Sequence, residues 1–272
     1  MKQIPNLFTL LNLIFGCFAI VAVLQNGITI QYNGEGGQYI DFPEKIWMAS
    51  VCIGLAAVVD FLDGFVARLF KASSEMGKQL DSLADVVSFG VAPSMIVYQF
   101  LRLAVAKEED GIDASMFLLF PAFIIAAASA YRLAKFNLDT RQQFGFLGIP
   151  TPAVGLLVAS LPLIYWHTDN KAIVDVLLNK WVLYGFILLV SWLMVSEIPM
   201  MAMKFKDRSL NKNLPKIIML ITAIVAAIFL HWLSVPVIFV AYIIELIHAL
   251  ICMKRNEFIK AAIRSEERRV GK

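Results

Sequence analysis

Four aspartates with helical spacing are the residues of this chain best suited to carry chemistry. Asp60 and Asp63 are three residues apart in one apolar segment, and Asp81 and Asp85 are four apart in the next. Residues three or four apart share one face of a helix, so each pair presents its carboxylates together. Because only a short turn separates the two segments, we expect antiparallel neighbouring helices whose four carboxylates meet at one end.

Such a cluster requires a compensating positive charge, because like charges repel one another and each buried carboxylate is costly to desolvate. Ligands that are all oxygen favour a hard divalent cation, Mg²⁺ or Mn²⁺. A cation held in this way suits a substrate with a pyrophosphate group, whose charge it neutralises. The small residues Gly64 and Ala67 leave room for an extended ligand on the same helix face, and Arg68 can pair with a phosphate or with the cluster.

Carboxylates at helix ends are compatible with an enzyme that binds a metal and a pyrophosphate substrate, and also with a transporter or channel. A single acidic residue would be explained as a structural charge of a transporter or channel, but four with this spacing favour a functional site, since ionisable groups within a membrane are usually functional. A divalent-cation transporter is kept as the alternative class. It would more often carry internal repeats and broken helices, and the sequence shows neither.

The elements that must position these aspartates are transmembrane helices. Apolar residues make up 59% of the 272 residues and charged residues 17%, against about 25% charged in a soluble domain. Apolar runs of about 18 residues or more can cross a bilayer, where the backbone must be helical. The sequence therefore predicts an all-α, polytopic transmembrane bundle. The eight predicted spans are Ile4–Leu24, Ile46–Phe70, Ser82–Val105, Met116–Phe136, Gly148–Trp166, Ala172–Val195, Leu214–Leu230 and Val235–Cys252.

The distribution of Lys and Arg predicts the orientation of the spans. Of the 24 Lys and Arg residues, 19 fall on the side of the N-terminus and five on the other. Because positively charged loops stay in the cytoplasm, we expect both termini and the carboxylates at the cytoplasmic face of the inner membrane. Six of the predicted spans fall in residues 1–210 and two in residues 211–256, and residues 257–272 would form a polar tail. The end of that tail, residues 265–272, resembles translated adapter sequence and is assigned no function.

The aspartates belong to a longer pattern that resembles the signature of the CDP-alcohol phosphatidyltransferase family. The pattern D-x-x-D-G-x-x-A-R-x8-G-x-x-x-D-x-x-x-D is filled by Asp60, Asp63, Gly64, Ala67, Arg68, Gly77, Asp81 and Asp85. The resemblance implies a six-helix core, two bound metal ions, a homodimer and a CDP-lipid site at the cytoplasmic leaflet. It implies that Asp60, Asp63 and Asp81 are metal ligands, and that Asp85 is the general base and also touches metal. By the same resemblance Gly64, Ala67, Arg68 and Gly77 line the pocket for cytidine diphosphate.

Three further stretches are similar to the branch of this family that uses L-serine as the acceptor. They are Ile4–Asn12, then Ser129–Asn137 followed by Phe146–Pro152, and finally Ser196–Pro199 with Lys204–Lys206. This similarity implies transfer of a phosphatidyl group from CDP-diacylglycerol to L-serine, with Arg132, Tyr131 and Lys135 at the serine site.

Physical reasoning leaves alternatives open at several of these positions. Arg132, at the inner end of an apolar helix, could bind the carboxylate of an acceptor or be an ordinary positive-inside residue. Thr9 and Asn12, assigned to CDP-lipid binding, could instead hydrogen-bond neighbouring helices. Glycerol 3-phosphate and inositol phosphate are the alternative acceptors, although a phosphorylated acceptor should require more cations than Arg132 and Lys135 provide.

Overall fold

The computed structural model describes most of the chain, in several segments. They are residues 4–25, 29–32, 38–41, 44–69, 74–107, 115–138, 148–198, 221–223 and 225–244. The chain forms two units, Met1–Pro199 and Met200–Lys272. All the predicted site residues belong to the first unit. The stretch Lys204–Lys206 and the predicted polar tail lie outside the described residues.

The first unit is built from helices, as expected for an all-α protein. Its elements are α1 (Ile4–Gln25), β1 (Thr29–Tyr32), β2 (Gln38–Asp41), α2 (Trp47–Leu69), α3 (Glu75–Asp85), a π-helix (Val86–Val91), α4 (Ala92–Ala106), α5 (Ile124–Leu138), α6 (Thr151–His167), α7 (Lys171–Leu177) and α8 (Lys180–Val195). Short 3₁₀ turns, Glu44–Ile46 before α2 and Met116–Leu118 with Phe120–Phe123 before α5, extend two of the helices. The hairpin of β1 and β2 pairs Ile30 with Ile40 in antiparallel register. The hairpin was not predicted from the sequence, because strands of only four residues form no long apolar run.

Five helical segments among the described residues are long and apolar enough to cross a membrane. They are Pro5–Gln25, Trp47–Leu69, Glu75–Ala106, Met116–Leu138 and Ile221–Ile244. The pair α7 and α8, bent by 62° at its break, makes a sixth if it is counted as one span. Helix α6 is apolar but has only 17 residues. The described residues thus hold five or six such spans rather than the eight predicted.

The largest difference from the predicted spans concerns the second unit. Two spans, Leu214–Leu230 and Val235–Cys252, were expected there, but the described residues form one segment, Ile221–Ile244. The expected break coincides with a 3₁₀ turn, His231–Leu233, where His231 has a φ of 47°. Residues 214–220 and 245–252 lie outside the described part of the chain.

The third predicted span is longer than expected and contains a π-helix at its centre. Helix α3, the π-helix and α4 follow one another without a break over Glu75–Ala106. The π-helix packs against α1, α5 and α6. Small residues permit these close approaches: a side-chain carbon added at Gly155 would lie 2.9 Å from the ring of Phe89, and one added at Gly16 would overlap Ser88.

Helix α3 carries two of the aspartates from the protein surface into the bundle. Its N-terminus is capped by Ser74, whose hydroxyl accepts a hydrogen bond of 3.0 Å from the backbone N–H of Gly77. This cap supplies a partner for one of the N–H groups that a helix start leaves unpaired. Most of α3 is exposed or half-buried, but its last two residues, Ala84 and Asp85, are buried. Asp85 therefore lies where the helix enters the core.

Large apolar side chains cover the outer faces of the first unit. They include Leu7, Phe61, Phe65, Leu188 and Trp192, each of which is more than half exposed. A soluble protein rarely exposes so many large apolar side chains. Lipid contact explains these faces, in agreement with the lengths of the helices.

Candidate active site

Three of the four aspartates, carried by α2 and α3, converge in the structure. Asp60, Asp81 and Asp85 each offer a carboxylate oxygen, and the three oxygens lie within 4.8 Å of one another. Asp60 comes from α2, whereas Asp81 and Asp85 lie one turn apart on α3. The predicted meeting of carboxylates from two consecutive helices is therefore present for three of the four aspartates.

The fourth aspartate, Asp63, lies beside this group and is held by the first helix. It is close enough for its charge to interact with Asp60 and Asp81. Its Oδ2 accepts a hydrogen bond from the hydroxyl of Thr9, which is buried on α1. Asn12, one turn further along α1, donates from Nδ2 to Oδ1 of Asp85 at 3.2 Å. Both α1 residues thus contact neighbouring helices, and they do so at the carboxylates of the cluster.

The arrangement fits a divalent cation. The carboxylates repel one another, as the interactions of Asp85 with Asp60 and Asp81 illustrate. One oxygen of Asp81 is buried without a hydrogen-bond partner among the described residues. A buried carboxylate oxygen with no partner is costly, and coordination of a hard cation would satisfy it. Asp60, Asp81 and Asp85 are the residues whose oxygens are close enough to share one ion.

A cavity of about 480 Å³ opens beside the aspartates. It is lined by Pro5, Asn6, Thr9, Asp63, Gly64, Ala67, Ser74, Glu75, Gly77, Lys78 and Asp81. A side-chain carbon added at Gly64 would meet nothing within 4 Å, so this part of the wall is open. One added at Gly77 would lie 3.0 Å from the side-chain oxygens of Asn6 and Ser74, so this glycine allows α1 and α3 to approach.

Arg68 takes a different position from the other residues of the pattern. Its side chain is exposed, and its Nε donates to the carbonyl of Gly64 at 2.8 Å. Arg68 is therefore not among the residues that line the cavity. It lies one turn from Gly64, at the end of α2.

The predicted acceptor residues do not all face the cluster. Arg132 is buried on α5, close enough to Asp85 for their charges to interact. Tyr131 is 58% exposed and has no hydrogen bond to the site among the described residues. Lys135 forms an ion pair of 2.8 Å with Glu197. Of these three residues, Arg132 is the one that is buried and whose charge interacts with a carboxylate of the cluster.

Several residues near the site were missed from the sequence. Lys78 adds a cation to the wall of the cavity, and its Nζ contacts the carbonyl of Asn137 at 3.4 Å. Asn137 in turn donates to Ser82 at 2.8 Å and so connects α5 to α3. Thr151 accepts a hydrogen bond from Arg132 at 3.2 Å. Lys78 directly follows Gly77 of the pattern, and Asn137 and Thr151 lie in stretches similar to the serine-using branch, but the sequence assigned no role to these three residues.

Comparison with known proteins places the chain in a family. A family model described as CDP-alcohol phosphatidyltransferase matches residues 2–202. A protein of Helicobacter pylori (strain J99) named CDP-diacylglycerol–serine O-phosphatidyltransferase is 34% identical over 196 residues, which cover 71% of this chain and 70% of the relative. Proteins with the same name are 30% identical over 165 residues in Bacillus subtilis (61% of this chain, 78% of the relative) and 33% identical over 168 residues in Saccharomyces cerevisiae (58% and 53%). The chain belongs to the CDP-alcohol phosphatidyltransferase family.

Proposed function

We propose that this protein transfers the phosphatidyl group of CDP-diacylglycerol to the hydroxyl group of L-serine, giving phosphatidylserine and CMP. The observation that carries the proposal is the convergence of Asp60, Asp81 and Asp85 beside an open cavity, with buried Arg132 near Asp85. The names of the relatives support serine as the acceptor. Membership of a family of transferases argues against the alternative of a cation transporter.

The aspartates would hold the divalent metal on which this family generally depends. We infer that Asp60, Asp63, Asp81 and Asp85 bind Mg²⁺ or Mn²⁺, as two ions. When bound, the metal neutralises the pyrophosphate and stabilises the leaving phosphate. Thr9 and Asn12 orient the carboxylates of Asp63 and Asp85 through their hydrogen bonds.

The cavity would take the cytidine diphosphate part of the lipid substrate. Gly64, Ala67 and Gly77 supply a wall without bulky side chains, and Thr9 adds a hydroxyl to the same wall. Arg68, at the exposed end of α2, would pair with a phosphate. Such a pair requires no more than a change of rotamer by an exposed side chain.

Asp85 would act as the general base in the transfer step. The hydroxyl oxygen of serine attacks the phosphorus that carries the diacylglycerol group, and the bond from this phosphorus to the oxygen of CMP breaks. The proton of the hydroxyl passes to the carboxylate of Asp85. The hydrogen bond from Asn12 to Oδ1 holds this carboxylate in a defined orientation.

Arg132 would bind the carboxylate of serine. Its Nε is buried and has no hydrogen-bond partner among the described residues, so an N–H donor is available for an acid. Lys135 could contribute only after its ion pair with Glu197 opens, and Tyr131 only after its exposed ring turns inward. An acceptor with a phosphate group would therefore find few cations at this place, which favours serine over glycerol 3-phosphate and inositol phosphate.

The protein would work in the inner membrane as a homodimer, with its active site at the cytoplasmic leaflet. The excess of Lys and Arg on the side of the N-terminus supports this orientation, with both termini in the cytoplasm. The resemblance to the family supports the dimer.

The function is tested by offering acceptors to the purified protein. Protein in detergent micelles that contain CDP-diacylglycerol and Mg²⁺ should release CMP with serine, and not with glycerol 3-phosphate or inositol phosphate. EDTA should abolish the release, and added Mg²⁺ or Mn²⁺ should restore it. Release of CMP with a phosphorylated acceptor alone would contradict the assignment of serine, and full activity after dialysis against EDTA would contradict the metal.

A further inference from the structure

We propose that Thr151 is a positioning residue that holds the guanidinium of Arg132 in the orientation needed to receive the acceptor. The inference rests on the proposed role of Arg132 in binding serine. Thr151 is the first residue of α6, whereas Arg132 lies on α5.

The contact is formed by two buried residues. Thr151 is fully buried, and Arg132 is 8% exposed. The Nη1 group of Arg132 donates to Oγ1 of Thr151 at 3.2 Å. The Nε group of the same guanidinium has no partner among the described residues. Because a guanidinium is planar and rigid, a bond at one of its nitrogens fixes the direction in which the other N–H groups point.

Thr151 itself is fixed by the turn that precedes α6. The backbone N–H of Gly148 donates to the carbonyl of Ile198 at 3.0 Å. The backbone N–H of Ile149 donates to the carbonyl of Leu193 at 3.1 Å. Gly148 has a φ of +69°, which an L-residue rarely adopts. Two backbone bonds and a tight turn therefore tie this segment to the end of α8, and the hydroxyl of Thr151 is a stationary acceptor.

The hydroxyl also keeps the guanidinium from a competing partner. Arg132 and Asp85 interact through their charges, yet no ion pair joins them in the part of the chain that the structure describes. Without the hydroxyl of Thr151 the guanidinium would lose its hydrogen-bonded partner and could turn to Asp85. A direct pair would occupy both the group that binds the acceptor and the proposed base. Thr151 thus keeps the arginine that binds the acceptor apart from the proposed base, Asp85.

The test is the kinetics of a Thr151→Val variant, which removes the hydroxyl and keeps the branched shape. The KM for serine should rise about tenfold, the effect expected when a hydrogen bond to a charged group is lost. The KM for CDP-diacylglycerol should stay unchanged, because Thr151 is outside the cavity that would bind the lipid. Thr151→Ser, which retains the hydroxyl, should restore the KM for serine. Ser160→Ala is the matched control, because its buried hydroxyl on the same helix donates to the carbonyl of Leu157, within α6 itself.

Arg132→Ala and the double variant separate this inference from the proposed function. Arg132→Ala should raise the KM for serine, and adding Thr151→Val to it should have no further effect. A normal KM for serine in Thr151→Val, with a raised one in Arg132→Ala, would overturn the positioning role and leave the function intact. A multiplied effect in the double variant, or equal rises in both KM values, would also overturn it. A normal KM for serine in Arg132→Ala would refute the acceptor role of the arginine and the inference together.

Discussion

At the scale of single residues, the four aspartates have different surroundings although the sequence presents them alike. Asp85 is buried and accepts a hydrogen bond from Asn12, Asp63 accepts one from Thr9, and one oxygen of Asp81 has no partner among the described residues. Asp60, Asp81 and Asp85 have oxygens within reach of one ion. These differences allow separate roles, and they make the role of Asp85 testable by itself.

Asp85→Asn should slow the transfer without abolishing binding of the lipid substrate. The amide has the shape of the carboxylate and can still accept the hydrogen bond from Asn12, but it cannot take a proton from serine. We expect the rate of CMP release to fall by about 10²-fold or more, whereas Asp60, Asp63 and Asp81 remain to hold metal. Rate and affinity for CDP-diacylglycerol should be measured in one preparation, with Asp81→Asn for comparison.

The comparison distinguishes a base from a ligand. Asp81→Asn should weaken binding of the lipid together with the rate, since the proposal treats Asp81 as a metal ligand. Equal losses of rate and affinity in Asp85→Asn would show that Asp85 acts chiefly as a ligand, and the base would then be another group.

At the scale of secondary-structure elements, irregular segments adjoin the site. The π-helix Val86–Val91 begins directly after Asp85, and such widened turns are frequent at functional sites. Its Ser88 donates to the carbonyl of Asn12 at 2.9 Å, so the same residue of α1 contacts both the π-helix and the proposed base. The turn before α6, with Gly148 at positive φ, similarly fixes Thr151.

Gly148→Ala should destabilise the protein and weaken the acceptor site. An alanine at φ of +69° is strained by about 1–2 kcal/mol, and its added carbon would overlap the carbonyl of Met194 and lie 2.8 Å from that of Ser196. We expect a lower thermal midpoint in detergent and a higher KM for serine.

Gly185→Ala is the matched control for that substitution, because a carbon added at Gly185 on α8 meets nothing within 4 Å. Its midpoint should be unchanged or slightly higher, since alanine favours a helix over glycine. Equal thermal midpoints for Gly148→Ala and the parent protein would contradict the positive φ of Gly148 in this turn.

At the scale of the whole molecule, apolar outer faces and an uneven distribution of charge indicate how the protein lies in the membrane. Large exposed side chains such as Phe61 and Trp192 occupy the faces that would contact lipid. Asp60 and Asp63 lie in the half of α2 that ends beyond Arg68. The excess of Lys and Arg on the side of the N-terminus predicts that this end of the helix faces the cytoplasm.

Reporter cysteines should label from opposite sides of the membrane. In a background without Cys17, Cys52 and Cys252, Asp169→Cys between α6 and α7 should react with an impermeant thiol reagent in right-side-out vesicles. Glu197→Cys, after α8, should react only in inverted vesicles. Both positions are exposed in the structure, so reactivity in one orientation is not limited by burial. Labelling of both from one side would contradict the proposed orientation.

The sequence by itself determined the all-helical class, the family and the two neighbouring helices that carry the aspartates. These conclusions depend on local relations: a spacing of three or four residues places side chains on one helix face, whatever the rest of the chain does. The pattern from Asp60 to Asp85 lies within one pair of helices, so no distant contact was needed to recognise it.

Only the tertiary structure decided which polar residues support the site. Thr9 and Asn12 lie 54 and 73 residues from the aspartates that they contact, and Thr151 lies 19 residues from Arg132, on a different helix. Tyr131 shows the opposite case, since adjacent helical residues point about 100° apart and its ring is exposed while Arg132 is buried. Periodicity tells which residues share a face, but the packing of other helices decides what that face meets.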